Sequence, residues 1–226
     1  MELNFNYLSK TNNDEEYIIN LKNVFPKNFH DKDILVVNVH EKIILWMLEN
    51  SFRNNSGLSI LQYDAKDSLL DQIIQKNKFR YLFLPKSCLL DISVNFSEIF
   101  SLKIYETEYI FVEIKNNKVF TKFPKSIVLF TSGSSGERKP VIISHKAMLN
   151  CANFMTKTME IVQSDVEIIY AQLDHAFALG RIISCALCNA SFLFFNSKKI
   201  WGVSKWFKVL VFDISLRRFE SYRSNI

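Results

Sequence analysis

Residues 127 to 145 read Ile-Val-Leu-Phe-Thr-Ser-Gly-Ser-Ser-Gly-Glu-Arg-Lys-Pro-Val-Ile-Ile-Ser-His. An apolar run enters a stretch of hydroxyls and glycines, a lysine follows, and a second apolar run leads to a helix start for which Ser144 is a suitable cap. Those residue types at that spacing make an anion cradle. Glycine lets backbone N–H groups approach closely, serine and threonine add hydroxyl donors, and lysine adds a point charge. Each hydrogen bond to a charged oxygen contributes roughly 1.5 to 3 kcal/mol, so a handful of them can hold a triphosphate. The plainer alternative is a flexible Gly/Ser tether, but a tether is not normally clamped between two β-branched strands with a lysine just past its last glycine. A Walker loop requires Gly-Lys-Ser/Thr running directly into a helix, whereas here Arg138 precedes Lys139 and a strand pattern follows. Nor is there a G-x-S-x-G elbow, because only two serines separate Gly133 from Gly136.

The elements that must hold this loop follow an α/β rhythm from Asp33 onward. Strand patterns at 34–39, 58–63 and 81–84 alternate with helical patterns at 41–52 and 68–76, which predicts strand–helix–strand units and a mainly parallel sheet. Beyond Ile104 the pattern shortens. Tyr109 to Ile114 and Val119 to Thr121, joined by Lys-Asn-Asn-Lys, predict an antiparallel hairpin.

Composition narrows the function further. The chain has 226 residues, nearly half of them hydrophobic, with 20 Phe and only 5 Gly, so a packed core is expected. A net charge of +5 is spread along the chain, which argues against a nucleic-acid surface yet suits a small polyanion. No secretory leader is apparent at Met1 to Asn6, and the apolar stretch from Ile182 to Phe195 is interrupted and short for a membrane span, so a cytoplasmic location is expected. The cysteines, Cys88, Cys151, Cys185 and Cys188, read as reduced thiols. Cys185 and Cys188 form a C-x-x-C without a second ligand pair, so they are expected to be core residues on adjacent helical turns and no metal site is assigned.

The loop with Lys139, Val141 and Ser144-His145 resembles the signature of the adenylate-forming superfamily, the AMP-dependent synthetases and ligases that include acyl-CoA synthetases and adenylation domains. The family's loop reads Thr-Ser-Gly-Ser/Thr-Thr-Gly-x-Pro-Lys-Gly-Val. Here Arg138 stands where proline is usual and Pro140 where glycine is usual. Further on, Ser164-Asp165-Val166 and the segment Tyr170 to Gly180 resemble the family's Asp-Val strand and its Pro-Leu-x-His-x-Phe-Gly-Leu segment. Leu187 to Phe195 resembles the helix-to-strand turn that comes next, with Asn189 in place of the usual glycine. Alone, His175 would read as a structural or surface histidine.

The resemblance implies an incomplete N-terminal domain of such an enzyme. Residues 1–32 would be a lead-in, 33–197 a partial AMP-binding domain with its phosphate loop at 131–140, and 198–226 a divergent tail. It further implies that Thr131, Ser132, Gly133, Ser134, Ser135, Gly136 and Lys139 hold the β- and γ-phosphates of ATP, accompanied by Mg2+, and that His175, with Phe177 near it, borders a carboxylic acid substrate. Coenzyme A or a carrier protein would be the thiol acceptor. The family's later motifs do not occur in the sequence, so the expectation is a truncated ligase, inactive alone. The competing expectation is a non-catalytic remnant that binds a nucleotide or a partner.

Overall fold

The computed structural model describes residues 3, 5–7, 34–62, 69–77, 79–104, 106–115, 125–131 and 138–194. The chain divides into two units, residues 1–193 and 194–226; of the second, only Phe194 is described, and the architecture below is that of the first.

Ten strands and four α-helices carry the fold of the described residues. In chain order they are β1 (Asn6–Tyr7), β2 (Ile34–Val37), α1 (Glu41–Asn54), β3 (Leu58–Leu61), α2 (Leu69–Asn77), β4 (Tyr81–Pro85), β5 (Phe96–Ile104), β6 (Thr107–Ile114), β7 (Ser126–Thr131), β8 (Lys139–Ser144), α3 (His145–Thr158), β9 (Val166–Ile169), α4 (Ala176–Cys188) and β10 (Ser191–Phe194). A 3-10 turn, Lys86–Asp91, follows β4. Seven strands form one sheet in the order β5-β6-β4-β2-β3-β7-β8, and β1-β10-β9 form a second.

Within the large sheet β4, β2, β3 and β7 are mutually parallel, while β5, β6 and β8 run antiparallel to their neighbours. Of the parallel strands, β2, β3 and β4 are buried along their whole length and β7 as far as Phe130, as suits the apolar runs Ile34–Val37 and Leu58–Leu61 in a sheet covered on both faces. The mixed α/β class with a mainly parallel sheet is therefore as the sequence predicts. The expected hairpin is not: β6 is paired on one side with β5 and on the other with β4, so neither edge is open to a strand at 119–121. Its hairpin partner is Phe96–Ile104, whose irregular Phe-Ser-Glu-Ile-Phe pattern disguised a strand containing a bulge between Glu98 and Phe100. Val119 to Thr121 itself lies outside the described residues.

Chain direction over the sheet determines where a ligand can go. From β2 the chain steps to its neighbour β3, then returns across β2 to β4. Right-handed crossovers in opposite directions place α1 and α2 on opposite faces. Consistent with this, Leu70, Ile73 and Ile74 of α2 share a core with Leu35, Val37, Leu61, Leu82 and Leu84, and no α1 residue joins that cluster. Such a reversal opens a crevice at the carboxyl ends of β2 and β3. The backbone there is tied across the gap, with Asn38 N–H donating to the Leu61 carbonyl at 3.0 Å.

Helices α3 and α4 pack closely because small residues face each other. A Cβ on Gly180 would stand 3.2 Å from Met155 Sδ, and the Ser184 hydroxyl lies 3.1 Å from the Ala152 carbonyl. Arg181 of α4 is buried and paired with Glu167 of β9, its Nε 2.7 Å from Oε1. No helix among the described residues is long and apolar enough to cross a membrane.

Candidate functional site

The phosphate-loop reading begins at β7, whose Ile127, Val128, Leu129 and Phe130 are buried and whose last residue, Thr131, is exposed. That alternation ends where the chain leaves the sheet at its carboxyl edge, so Thr131 is the first residue free to face a ligand. Lys139 opens β8 and stands directly opposite Thr131 in the antiparallel register. The Thr131 hydroxyl lies 3.5 Å from the Lys139 carbonyl, and both side chains are exposed. Ser132, Gly133, Ser134, Ser135 and Gly136 lie outside the described residues. What is described is the stem that brings the first and last of the seven predicted phosphate-binding residues together.

Arg138 was not singled out from the sequence as a site residue. Its Nη1 donates to the Gln62 carbonyl at 2.8 Å, and the Gln62 side-chain amide in turn reaches the Val39 carbonyl at 3.4 Å. The residue leaving the loop is thus anchored at the carboxyl ends of β3 and β2. Only strand order reveals this contact, because 76 positions separate Arg138 from Gln62 in the chain.

His145 shows how the Ser-His pair is used. Ser144 caps α3, accepting from the Ala147 N–H at 3.1 Å, as the sequence predicts. The His145 ring is buried, stacks on Phe52 of α1 at 4.2 Å between centroids, and lies 3.0 Å from Ser51 Oγ. Because Ser51 Oγ donates its own proton to the Ser56 carbonyl at 2.7 Å, it accepts from His145, which places the ring proton on Nε2 and leaves buried Nδ1 without a partner. Burial, reinforced by the charge of Lys125, pulls its pKa down to about 4. A neutral, stacked histidine of this kind joins the β8–α3 corner to α1; it has no exposed nitrogen for a ligand.

His175 is the opposite case. It sits at the N-cap of α4 without a capping side-chain bond, its side chain 64% exposed, with Nε2 3.8 Å from the largely buried carboxylate of Asp174. Phe177, the second residue of the helix, is 63% exposed. Among the described residues no hydrogen bond or ion pair joins His175 to Thr131 or Lys139; the link is architectural, from β8 through Ser144 into α3, which packs against α4. Of the two cysteines of α4, Cys185 is buried as expected for a core thiol, whereas Cys188 is half-buried. All four cysteines are free, and burial raises the Cys185 pKa to about 12, which removes thiolate character. The described residues contain no group of three or more His, Cys, Asp and Glu side chains placed to hold a metal.

Residues 112–210 match the family described as AMP-binding enzyme. No curated protein matches the sequence. Solved structures do. Against the McyG A-PCP protein complexed with phenylalanyl-adenylate the TM-score is 0.57 at 14% identity, covering 87% of this chain and 33% of that one. Apo MatB from Rhodopseudomonas palustris gives 0.54 at 12%, covering 84% and 40%. The O-succinylbenzoate coenzyme A synthetase MenE from Bacillus subtilis, in complex with AMP, gives 0.50 at 12%, covering 82% and 48%. The chain thus spans about half, or less, of the length of the structures it matches. Family match and shared fold agree with the resemblance carried by the loop and by the segment around His175.

Proposed function

We propose that this is an adenylate-forming chain of the AMP-binding family and that the β7–β8 stem and its loop bind the β- and γ-phosphates of ATP. Thr131, Ser132, Gly133, Ser134, Ser135, Gly136 and Lys139 are the residues assigned to this task, within a partial adenylation domain at 33–197. The observation that carries the reading is the pairing of Thr131 with Lys139 at the carboxyl edge of a parallel sheet, where α/β folds place their ligands. His175, exposed at the start of α4 beside Phe177, is assigned to the carboxylic acid substrate.

The family reaction is attack of a carboxylate oxygen on the α-phosphate, with departure of pyrophosphate and formation of an acyl-adenylate, which then passes its acyl group to the thiol of coenzyme A or a carrier protein. Protein groups contribute positioning and charge stabilisation to such a step. Mg2+ accompanies ATP in this reading, and among the described residues no group of three or more His, Cys, Asp and Glu side chains is placed to hold it. The family's adenine-stacking and ribose-gripping motifs do not occur in this sequence. The chain alone is therefore expected to bind ATP without adenylating.

The test has two arms. Lys139→Ala should weaken ATP binding about tenfold or more, the scale of losing a charged hydrogen-bonding partner of phosphate; unchanged affinity would remove the assignment. ATP–pyrophosphate exchange by the chain alone, with a panel of carboxylic acids, should stay at background. Robust exchange would overturn the proposed inactivity while leaving the phosphate site intact.

A second reading, a non-catalytic nucleotide- or partner-binding protein, is favoured by one observation. Val141 and Ile142 of β8, Phe154 of α3 and Phe177 of α4 are 42, 55, 70 and 63% exposed, apolar side chains left open to solvent. ATP binding with no exchange, alone or with any added chain, is the outcome that selects it.

A further inference from the structure

Resting on the reading that the stem holds phosphate, we propose that Arg138 is a positioning residue: its guanidinium straps the start of β8 to the carboxyl end of β3 and so sets where Lys139 stands opposite Thr131. Strand order makes the geometry specific. β8 neighbours β7, and β3 lies on the far side of β7, so the Arg138 side chain crosses the carboxyl end of β7 to reach the Gln62 carbonyl at 2.8 Å. That reach is about two strand spacings, roughly 10 Å.

Three constraints converge on the Lys139 backbone. The strap holds the residue before it, Pro140 fixes the backbone of the residue after it, and the Thr131 hydroxyl meets its carbonyl at 3.5 Å. Its side chain is exposed all the same. A lysine held this firmly at its backbone and left exposed at its ammonium is arranged to present charge to a ligand at a fixed place. The family's loop has proline at the position of Arg138, where a ring would limit the backbone covalently; here a planar, multiply donating guanidinium supplies the restraint through a carbonyl of a neighbouring strand.

The experiment compares wild type with Arg138→Ala, Arg138→Lys and Arg138→Pro in two measurements. Hydrogen–deuterium exchange of peptides covering 126–131 and 138–144, without nucleotide, reads the strap. Calorimetric binding of ATP and of AMP reads its consequence. Arg138→Ala should raise exchange in 138–144 by about fivefold and weaken ATP binding by a similar factor, the scale of one lost hydrogen bond, with AMP affinity changed less than about twofold. Arg138→Pro should restore most of both, because it supplies the restraint by other means, and Arg138→Lys should fall between. Unchanged exchange in Arg138→Ala overturns the proposal. So does an Arg138→Pro that restores exchange but not ATP binding, since Arg138 would then be touching phosphate itself. If wild type binds no ATP, the phosphate reading falls, while the exchange arm still decides the strap.

Discussion

The two ends of the seven-stranded sheet are built to different standards. At one end β4, β6 and β5 form an aromatic stack: Tyr81 on Phe111 at 5.4 Å, Phe83 on Tyr109 at 5.7 Å and Phe100 on Phe111 at 5.2 Å. Its outermost strand shows Glu98, Ser101 and Lys103 to solvent and carries a bulge, the devices by which an edge avoids further pairing. At the other end β8 is also an antiparallel edge strand, yet it exposes Val141 and Ile142, side chains of opposite faces. The first end is finished for stability. The second is where the Thr131–Lys139 stem stands, and its apolar residues contribute little to the fold they belong to.

The sharpest way to break that contrast is by truncating one side chain at each end. Phe111 is fully buried and touches three other rings, so Phe111→Ala should destabilise by about 3 to 5 kcal/mol through lost burial and a cavity. Ile142→Ser, more than half exposed before the change, should stay within about 0.5 kcal/mol. Urea unfolding of both variants decides the matter; comparable losses would mean that β8 is an integral part of the core and that the two ends are alike.

His145 joins the β8–α3 corner to α1, and pH probes that junction. Its folded pKa, about 4, lies below the ordinary 6.5, because the buried ring is neutral and Lys125 adds to the cost of charging it. A group with a depressed folded pKa gives its full stability above the unfolded value and loses it as pH falls toward the folded one. Stability should therefore drop by on the order of 2 kcal/mol between about pH 7 and pH 4.5 from this residue. His145→Phe keeps a ring against Phe52 and leaves the Ser51 proton on the Ser56 carbonyl, so it should flatten that part of the profile. Urea midpoints at the two pH values, wild type against variant, isolate the contribution; parallel curves would show that the ring is already charged or already exposed.

These contrasts also show which parts of the molecule the sequence disclosed. Local patterns were readable: the buried apolar runs of β2 and β3, the Ser144 cap, the strand at Val166 and an apolar strand on either side of the loop. What depends on strand order was not. β6 pairs backward with Phe96–Ile104 because its forward edge is taken by β4, a fact that no alternation within 109–121 contains. For the same reason Arg138 read as a departure from a motif and not as a strap, since Gln62 becomes its neighbour only once β3 lies beside β7. His145 and His175 are indistinguishable as residue types, and only burial separates the one that joins helices from the one that faces solvent.

The smallest effect tests how firmly the α4–β10 corner of the smaller sheet is built. Asn189, which stands where the family has glycine, closes α4 in the left-handed region at φ 55, with the Ala190 N–H reaching back to the Cys185 carbonyl at 2.9 Å. Asparagine tolerates that conformation better than any residue except glycine, so it meets the backbone demand of this position. Asn189→Ala should cost about 1 kcal/mol, and Asn189→Gly should cost less, because glycine adopts the left-handed region without strain. Thermal unfolding of the pair measures the difference. If alanine is tolerated as well as glycine, the turn is free to reshape and the α4–β10 corner is soft. The expected gap instead says that the α4–β10 corner has a firmly specified backbone.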